Sequence, residues 1–255
     1  MRRNYGTLLL IITALLLGGC QNPLIIETSL TLEVAGPVTI DVESFNGDVF
    51  VRADDSLTRV TVRFIREARH GAGRYDEAAQ SLGDITCRAS IVPGDLGETL
   101  QVRTATTHPE PHFQRAHVFI DVPSVDGLRI ITSRGSVRAR NISGEVSIET
   151  SGGNVRVMTA QPMTRPVTII NDGGDIDYRI RGESRGTFDC ESIEGRVIHR
   201  VQFGTMIIHT GTDHNTLKAT LNGGENLIRL RTVRGDIRIA VVADPEAVGL
   251  LIFEP

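Results

Sequence analysis

Gly135-Ser136-Val137-Arg138-Ala139, Gly144-Glu145-Val146-Ser147-Ile148, Gly153-Asn154-Val155-Arg156-Val157, Gly174-Asp175-Ile176-Asp177-Tyr178, Gly195-Arg196-Val197-Ile198-His199 and Gly235-Asp236-Ile237-Arg238-Ile239 repeat one unit. It reads glycine, polar residue, Val or Ile, any residue, then in most copies a second apolar side chain. Gly47-Asp48-Val49-Phe50-Val51 is an earlier copy. The glycines are spaced 18 residues from Gly135 to Gly153, then 21 to Gly174, 21 to Gly195 and 40 to Gly235, close to two further periods. A fixed period near 20 marks a repeat architecture. A strand of four or five residues ended by a glycine corner cannot bury its apolar face alone. Coils stacked ~4.8 Å apart enclose a continuous stripe of Val and Ile. The reading is therefore a β-solenoid over residues 126–242, with Val137, Val146, Val155, Ile176, Val197 and Ile237 lining its core. The alternative is an antiparallel β-sandwich with short strands and glycine turns.

Outside the repeat the chain is also strand-like. Leu30, Leu32 and Val34, then Val38, Ile40 and Val42, then Val60 and Val62 recur at every second residue. One short helix is predicted at 75–82, where Ala78, Ala79 and Leu82 share a face and Gly83 stops it. This gives an all-β chain with an N-terminal β-module at 30–125, the solenoid at 126–242 and a C-terminal tail at 243–255. Aromatic residues are only 4 % and Trp is absent, as a narrow tube of small aliphatics requires. The 27 Lys and Arg against 31 Asp and Glu give a net charge of −4, which lacks the basic footprint of nucleic-acid binding.

Residues 1–19 have a different layout: Arg2 and Arg3, an apolar run from Leu8 to Leu17, then Gly18, Gly19 and Cys20. This is the order of a secretory signal peptide, and its apolar stretch is too short for a membrane-spanning helix. Leu17-Gly18-Gly19-Cys20 resembles the bacterial lipobox, in which cleavage precedes a lipid-modified cysteine. The expectation is an exported protein held to the cell envelope by acyl chains on Cys20, with 20–29 as a linker. Gln21 rather than Asp after the cysteine implies the outer membrane if the cell has two. Cys87 and Cys190 remain. Alternation points both into the core, and the compartment permits a disulfide between them.

Ser44-Phe45-Asn46-Gly47-Asp48-Val49, the Asp76-Glu77-Ala78-Ala79 helix between two strands, Ile120-Asp121-Val122-Pro123 and Thr132-Ser133-Arg134-Gly135 resemble, in this order, the bacterial "putative adhesin" family of β-strand-repeat proteins. The resemblance spans about Leu30 to Ile239. It implies a right-handed, β-helix-like fold at the cell surface or envelope.

No residue set converges on a chemistry. His108, Glu110, His112 and His117 are the densest potential metal ligands, but His-Pro-Glu-Pro-His reads as an exposed loop, so no metal or other cofactor is assigned. Asp172, Asp175 and Asp177 flank Gly173-Gly174 without the tandem iteration of a calcium β-roll, and side-chain-stabilised turns account for them. The outward positions Arg138, Ser147, Arg156, Asp177, Ile198 and Arg238 make a mixed-sign ladder. The functional expectation is a non-catalytic, lipid-anchored envelope protein, adhesin-like or a scaffold, presenting a repetitive β surface to a protein or glycan partner. The alternative is a carbohydrate-active β-helix enzyme using Asp175 and Asp177.

Overall fold

The computed structural model describes residues 23–71, 73–94 and 97–246. In chain order the elements are β1 (Leu24–Leu32), β2 (Val38–Ser44), β3 (Val49–Ala53), β4 (Val60–Ala68), helix α1 (Tyr75–Ser81), β5 (Ile85–Gly94), β6 (Gly97–Thr106) and β7 (Gln114–Val122). They continue with β8 (Val125–Thr132), β9 (Val137–Arg140), β10 (Ser143–Thr150), β11 (Val155–Met158), β12 (Val167–Gly173) and β13 (Ile176–Arg181). The last are β14 (Gly186–Ser192), β15 (Val197–Val201), β16 (Met206–Ile208), β17 (Thr216–Leu221), β18 (Leu227–Arg234) and β19 (Ile237–Val242).

The strands form two sheets, ordered β1-β4-β7-β3-β9-β11-β13-β19-β15 and β16-β17-β14-β18-β12-β10-β8-β2-β6-β5. Each solenoid coil contributes one strand to each sheet. From one end to the other the coils are β6/β7, β2/β3, β8/β9, β10/β11, β12/β13, β18/β19 and β14/β15, and neighbours pair in parallel throughout. This parallel stack is the solenoid rather than the antiparallel sandwich. One apolar core runs from Val38 to Val241, and the six repeat positions expected to line it are all buried.

The structure corrects the sequence reading in four places. Residues 24–29, expected as linker, belong to β1, which pairs with β4 along its whole length. Residues 30–125 are continuous with the solenoid, because β2 and β3 pair directly with β8 and β9 and share its core, and only a small second cluster of Ala68, Ala78, Leu82, Ile85 and Ala116 lies apart under the helix. The Gly144 unit lies in the other sheet from the remaining copies, so Ser147 aligns with Arg129 and Thr168 and not with the Arg138 row. Finally, the 40 residues between Gly195 and Gly235 are not two coils. They hold the antiparallel β16–β17 hairpin and β18, and the β18/β19 coil inserts between β12/β13 and β14/β15. The helix forms at Tyr75–Ser81, followed by a 3-10 turn at Leu82–Asp84, close to its predicted span.

Three ladders build the corner between the sheets. Gly47, Gly135, Gly153, Gly174, Gly235 and Gly195 stack in that order, and a Cβ on any of the last five would lie within 3.0 Å of the preceding glycine's carbonyl group. Gly135 and Gly153 also have φ of +119° and +107°, a region costly for residues with a Cβ. Three residues before each glycine stands a buried Ser, Thr or Asn: Ser44, Thr132, Thr150, Asn171, Thr232 and Ser192. The last five side chains donate to corner carbonyls, as in Thr232 Oγ1 to Gly174 O at 2.9 Å and Ser192 Oγ to Gly235 O at 2.7 Å, while Ser44 Oγ pairs with Thr104 Oγ1. Just after the glycines, the Asp48, Asn154, Asp175 and Asp236 carboxylate or amide oxygens accept the backbone N–H of Ser136, Asp175, Asp236 and Arg196 on the next coil, at 2.8–3.1 Å.

His117 of β7 joins this corner to β4. Its Nδ1 lies 3.3 Å from Asp48 Oδ2 and its Nε2 3.4 Å from Glu67 Oε2. With Asp48 first and Glu67 second stabilising the imidazolium, its pKa rises to about 9 against the opposing effect of burial. His117 in turn lowers both carboxylates, and Arg69 lies 3.4 Å from Glu67.

Two outcomes are expected. Gly153→Ala should destabilise the chain by about 2–4 kcal/mol in chemical denaturation, from the clash and the positive φ together, while Gly36→Ala, with open space around it, should change stability by less than about 1 kcal/mol. The folded pKa of His117 exceeds its unfolded value, so its charge-linked stabilisation is complete below about pH 6.5 and lost as the pH rises through about 9. The parent should therefore exceed His117→Gln by about 1–3 kcal/mol near pH 6, and unfolding curves across the pH range should show that gap closing above pH 9.

Candidate functional site

Alternation along β3 and β7 buries Val49, Val51, Val118 and Ile120 and turns Phe50, Arg52, Phe119 and Asp121 outward. Parallel register sets Phe50 beside Phe119 and Arg52 beside Asp121. The two rings stack with centroids 4.7 Å apart and planes within 5°. The Arg63 guanidinium lies 4.3 Å from the Phe119 centroid and that of Arg138 lies 5.4 Å from Phe50, so the ring pair is flanked by cations on both sides. Arg140 follows Arg52 in register, and these side chains line a concavity of about 300 Å³ with four arginines against one carboxylate, Asp121. Arg52 and Arg140 also border a larger groove of about 720 Å³ that includes Asp54, Asp55, Asn141 and Glu246. Glu246, after β19, is held at this groove by Asn141, whose Nδ2 donates to Glu246 Oε2 at 3.0 Å.

The rest of this row continues the expected outward ladder without Ser147: Arg138, Arg156, Asp177, Arg238 and Ile198. Beyond Arg138, which leans on Phe50, its charges are committed to neighbouring side chains. Asp177 is buried between Arg156, at 3.0 Å, and Arg179, which holds it with two bonds of 2.7 Å. Burial raises the Asp175 pKa, but Arg238 at 2.6 Å and the Asp236 amide outweigh it and hold the carboxyl below its usual range. Asp175 thus lacks the raised pKa of a general acid, and Asp177 is closed in by its two arginines. On the opposite sheet Asp189 is likewise pulled down to about 2, burial being overcome by Arg231 and Lys218.

The four residues weighed as metal ligands do not come together, and His117 lies in β7 rather than in the loop. His117 is engaged by Asp48 and Glu67, and Glu110 pairs with Arg74. His112 packs on Phe113, and His108 lies instead beside His70. Cys87 and Cys190 are free thiols. They sit in β5 and β14, seven strand positions apart in one sheet, on the order of 30 Å and far beyond disulfide reach. Cys20 and the signal segment 1–19 lie outside the described residues. Sequence reasoning missed Phe50 and Phe119. The available signal was an outward aromatic at the alternating position of two strands in a chain of 4 % aromatics.

Among the described residues no helix is long and apolar enough to cross a membrane. A structure described as a putative cell adhesion protein from Clostridium sporogenes is similar with a TM-score of 0.60 at 12% identity, over 87% of this chain and 100% of that one. A putative adhesin from Bacteroides fragilis, also 12% identical, aligns over 84% of this chain and 96% of its own with a TM-score of 0.29. A putative lipid binding protein from Parabacteroides distasonis, 8% identical, covers the same shares with a TM-score of 0.22. The first of these supports the fold alone. Comparison with curated proteins gives no match. The Toastrack DUF4097 family matches residues 110–240, which take in the first coil's β7 and every later glycine corner, and by that match over half its length the chain belongs to this family.

Proposed function

We propose that the chain is a non-catalytic, lipid-anchored protein of the cell envelope, adhesin-like in role, which engages an acidic glycan through the Phe50–Phe119 patch. The observation that carries this reading is the flat ring pair with a guanidinium at each end. Each ring's faces are taken by the other ring and by a guanidinium, so the ring edges meet the C–H groups of a sugar while the arginines fork onto its carboxylate or phosphate. The net charge of −4 gives no general attraction for polyanions, so recognition of this kind is local to the patch. The paired states of Asp175 and Asp177 favour binding over hydrolysis.

Detergent-solubilised full-length protein should bind carboxylated or phosphorylated oligosaccharides saturably on a glycan array, without turnover. Arg138→Ala and Phe119→Ala should each weaken binding about tenfold, which corresponds to ~1.4 kcal/mol. Product formation that is lost in Asp175→Asn would instead establish the enzyme, and capture of a protein that survives both patch variants would move recognition elsewhere. For the anchor, Cys20→Ser should release the chain from the membrane fraction. Retention as firm as in the parent would rule the lipid out.

A further inference from the structure

His70 follows β4, Glu77 stands in the first turn of α1, and His108 lies in the connection from β6 to β7, the corner of the outermost coil. One ligand atom of each lies within 4.8 Å of the others. We propose that His70, Glu77 and His108 form a binding site for a divalent transition metal ion of the zinc type.

Two imidazoles and one carboxylate are a donor set that zinc accepts, and they leave the fourth tetrahedral position for water or an outside ligand. A tetrahedron with bonds of ~2.0–2.1 Å has an edge of about 3.3 Å, so side-chain movements of about 1.5 Å or less close the site. The strongest indication is His70 itself. Both of its ring nitrogens are shielded from solvent and have no hydrogen-bond partner among the described residues. A buried polar atom without a partner is costly, and a bound ion is one of the few ways to satisfy it.

The surroundings suit the same ion. Arg74 donates from Nε and Nη2 to the two Glu77 oxygens at 2.6 and 2.5 Å and also pairs with Glu110. A carboxylate has about four acceptor positions, so these bonds orient Glu77 and leave room for a metal. Glu77 and Glu110 against Arg74 give the immediate surroundings a net charge of −1, favourable to a dication. His108 Nδ1 accepts the Glu110 amide at 3.1 Å. Ligation through Nδ1 exchanges that bond for the metal, and ligation through Nε2 moves the ring proton to Nδ1. The ion would add a direct link between the end of β4, the helix and the first corner, which already meet through the Arg74 ion pairs and the packing of Ala78 and Leu82 against Ala68 and Ala116.

The test is titration of chelator-treated, untagged full-length protein in detergent with zinc by calorimetry and with cobalt by visible absorption. The expected result is one equivalent bound with a Kd in the micromolar range and a tetrahedral cobalt spectrum without thiolate charge-transfer bands. His70→Ala and His108→Ala should each weaken zinc binding at least tenfold, and His214→Ala, on an exposed distant loop, should not. Absence of saturable binding, or affinity unchanged in both variants, overturns the site. Should His70→Ala fail to fold, diethyl pyrocarbonate modification of the parent decides at His108, since the His70 nitrogens are shielded: zinc-dependent protection of His108 supports the site, and modification of His108 unchanged by zinc overturns it.

Discussion

The contact between a glycine Cα and the carbonyl of the glycine on the preceding coil governs this structure. At each step from Gly47 to Gly195 the two backbones come so close that no side chain fits between them. Strands in a sheet are ~4.8 Å apart in the hydrogen-bonding direction, and a corner can hold that spacing only if nothing protrudes into it. Such tight turns bury carbonyl groups that no strand partner reaches. The Ser, Thr or Asn three residues earlier supplies the missing donors, and the Asp or Asn that follows collects an amide from the next coil. Corner geometry, hydrogen-bond satisfaction and coil spacing are thus one problem solved by a five-residue pattern.

A parallel stack with open ends would expose rows of unpaired amides and carbonyls. At one end β4 and β5 turn antiparallel against β7 and β6, and β1 adds to β4. At the other end β17 and β16 do the same beside β14. The insertion of the β18/β19 coil inside β14/β15 follows from this arrangement: the chain lays down the outer coil, caps it with the hairpin, and returns to fill the gap. At the opposite end, β6/β7 lies outside β2/β3 in the same way. His117, held between Asp48 and Glu67, fastens that end's cap to the first glycine corner.

Most surface charges are used internally. Asp41 is shared by Arg103 and Arg129, Asp189 by Arg231, Arg229 and Lys218, and Asp177 by Arg156 and Arg179. Charges paired across neighbouring strands stiffen a face and leave little for a ligand. Against that background the Phe50–Phe119 patch is distinct because Arg63 and Arg138 lean on its rings, while Arg52, Arg63 and Arg140 also reach Asp121, Glu27 and Glu246.

The sequence by itself determined the coil. Glycine spacing, the alternating Val and Ile and the scarcity of aromatics follow directly from a narrow parallel stack, and the corner pattern from Ser44-x-x-Gly47 to Thr232-x-x-Gly235 was open to reading in full. These are local requirements that each coil meets within its own residues. The tertiary structure alone decided which coil neighbours which. Every repeat strand offers the same apolar stripe, so Ile237 fits beside Ile176 as well as Val197 does, and the choice lies with chain entropy and the capping hairpin. It also decided what meets across long separations: Ser147 away from the Arg138 row, Phe50 on Phe119, and His108 beside His70 instead of His112. Such encounters depend on where coils stack in space, and periodicity along the chain carries no information about that.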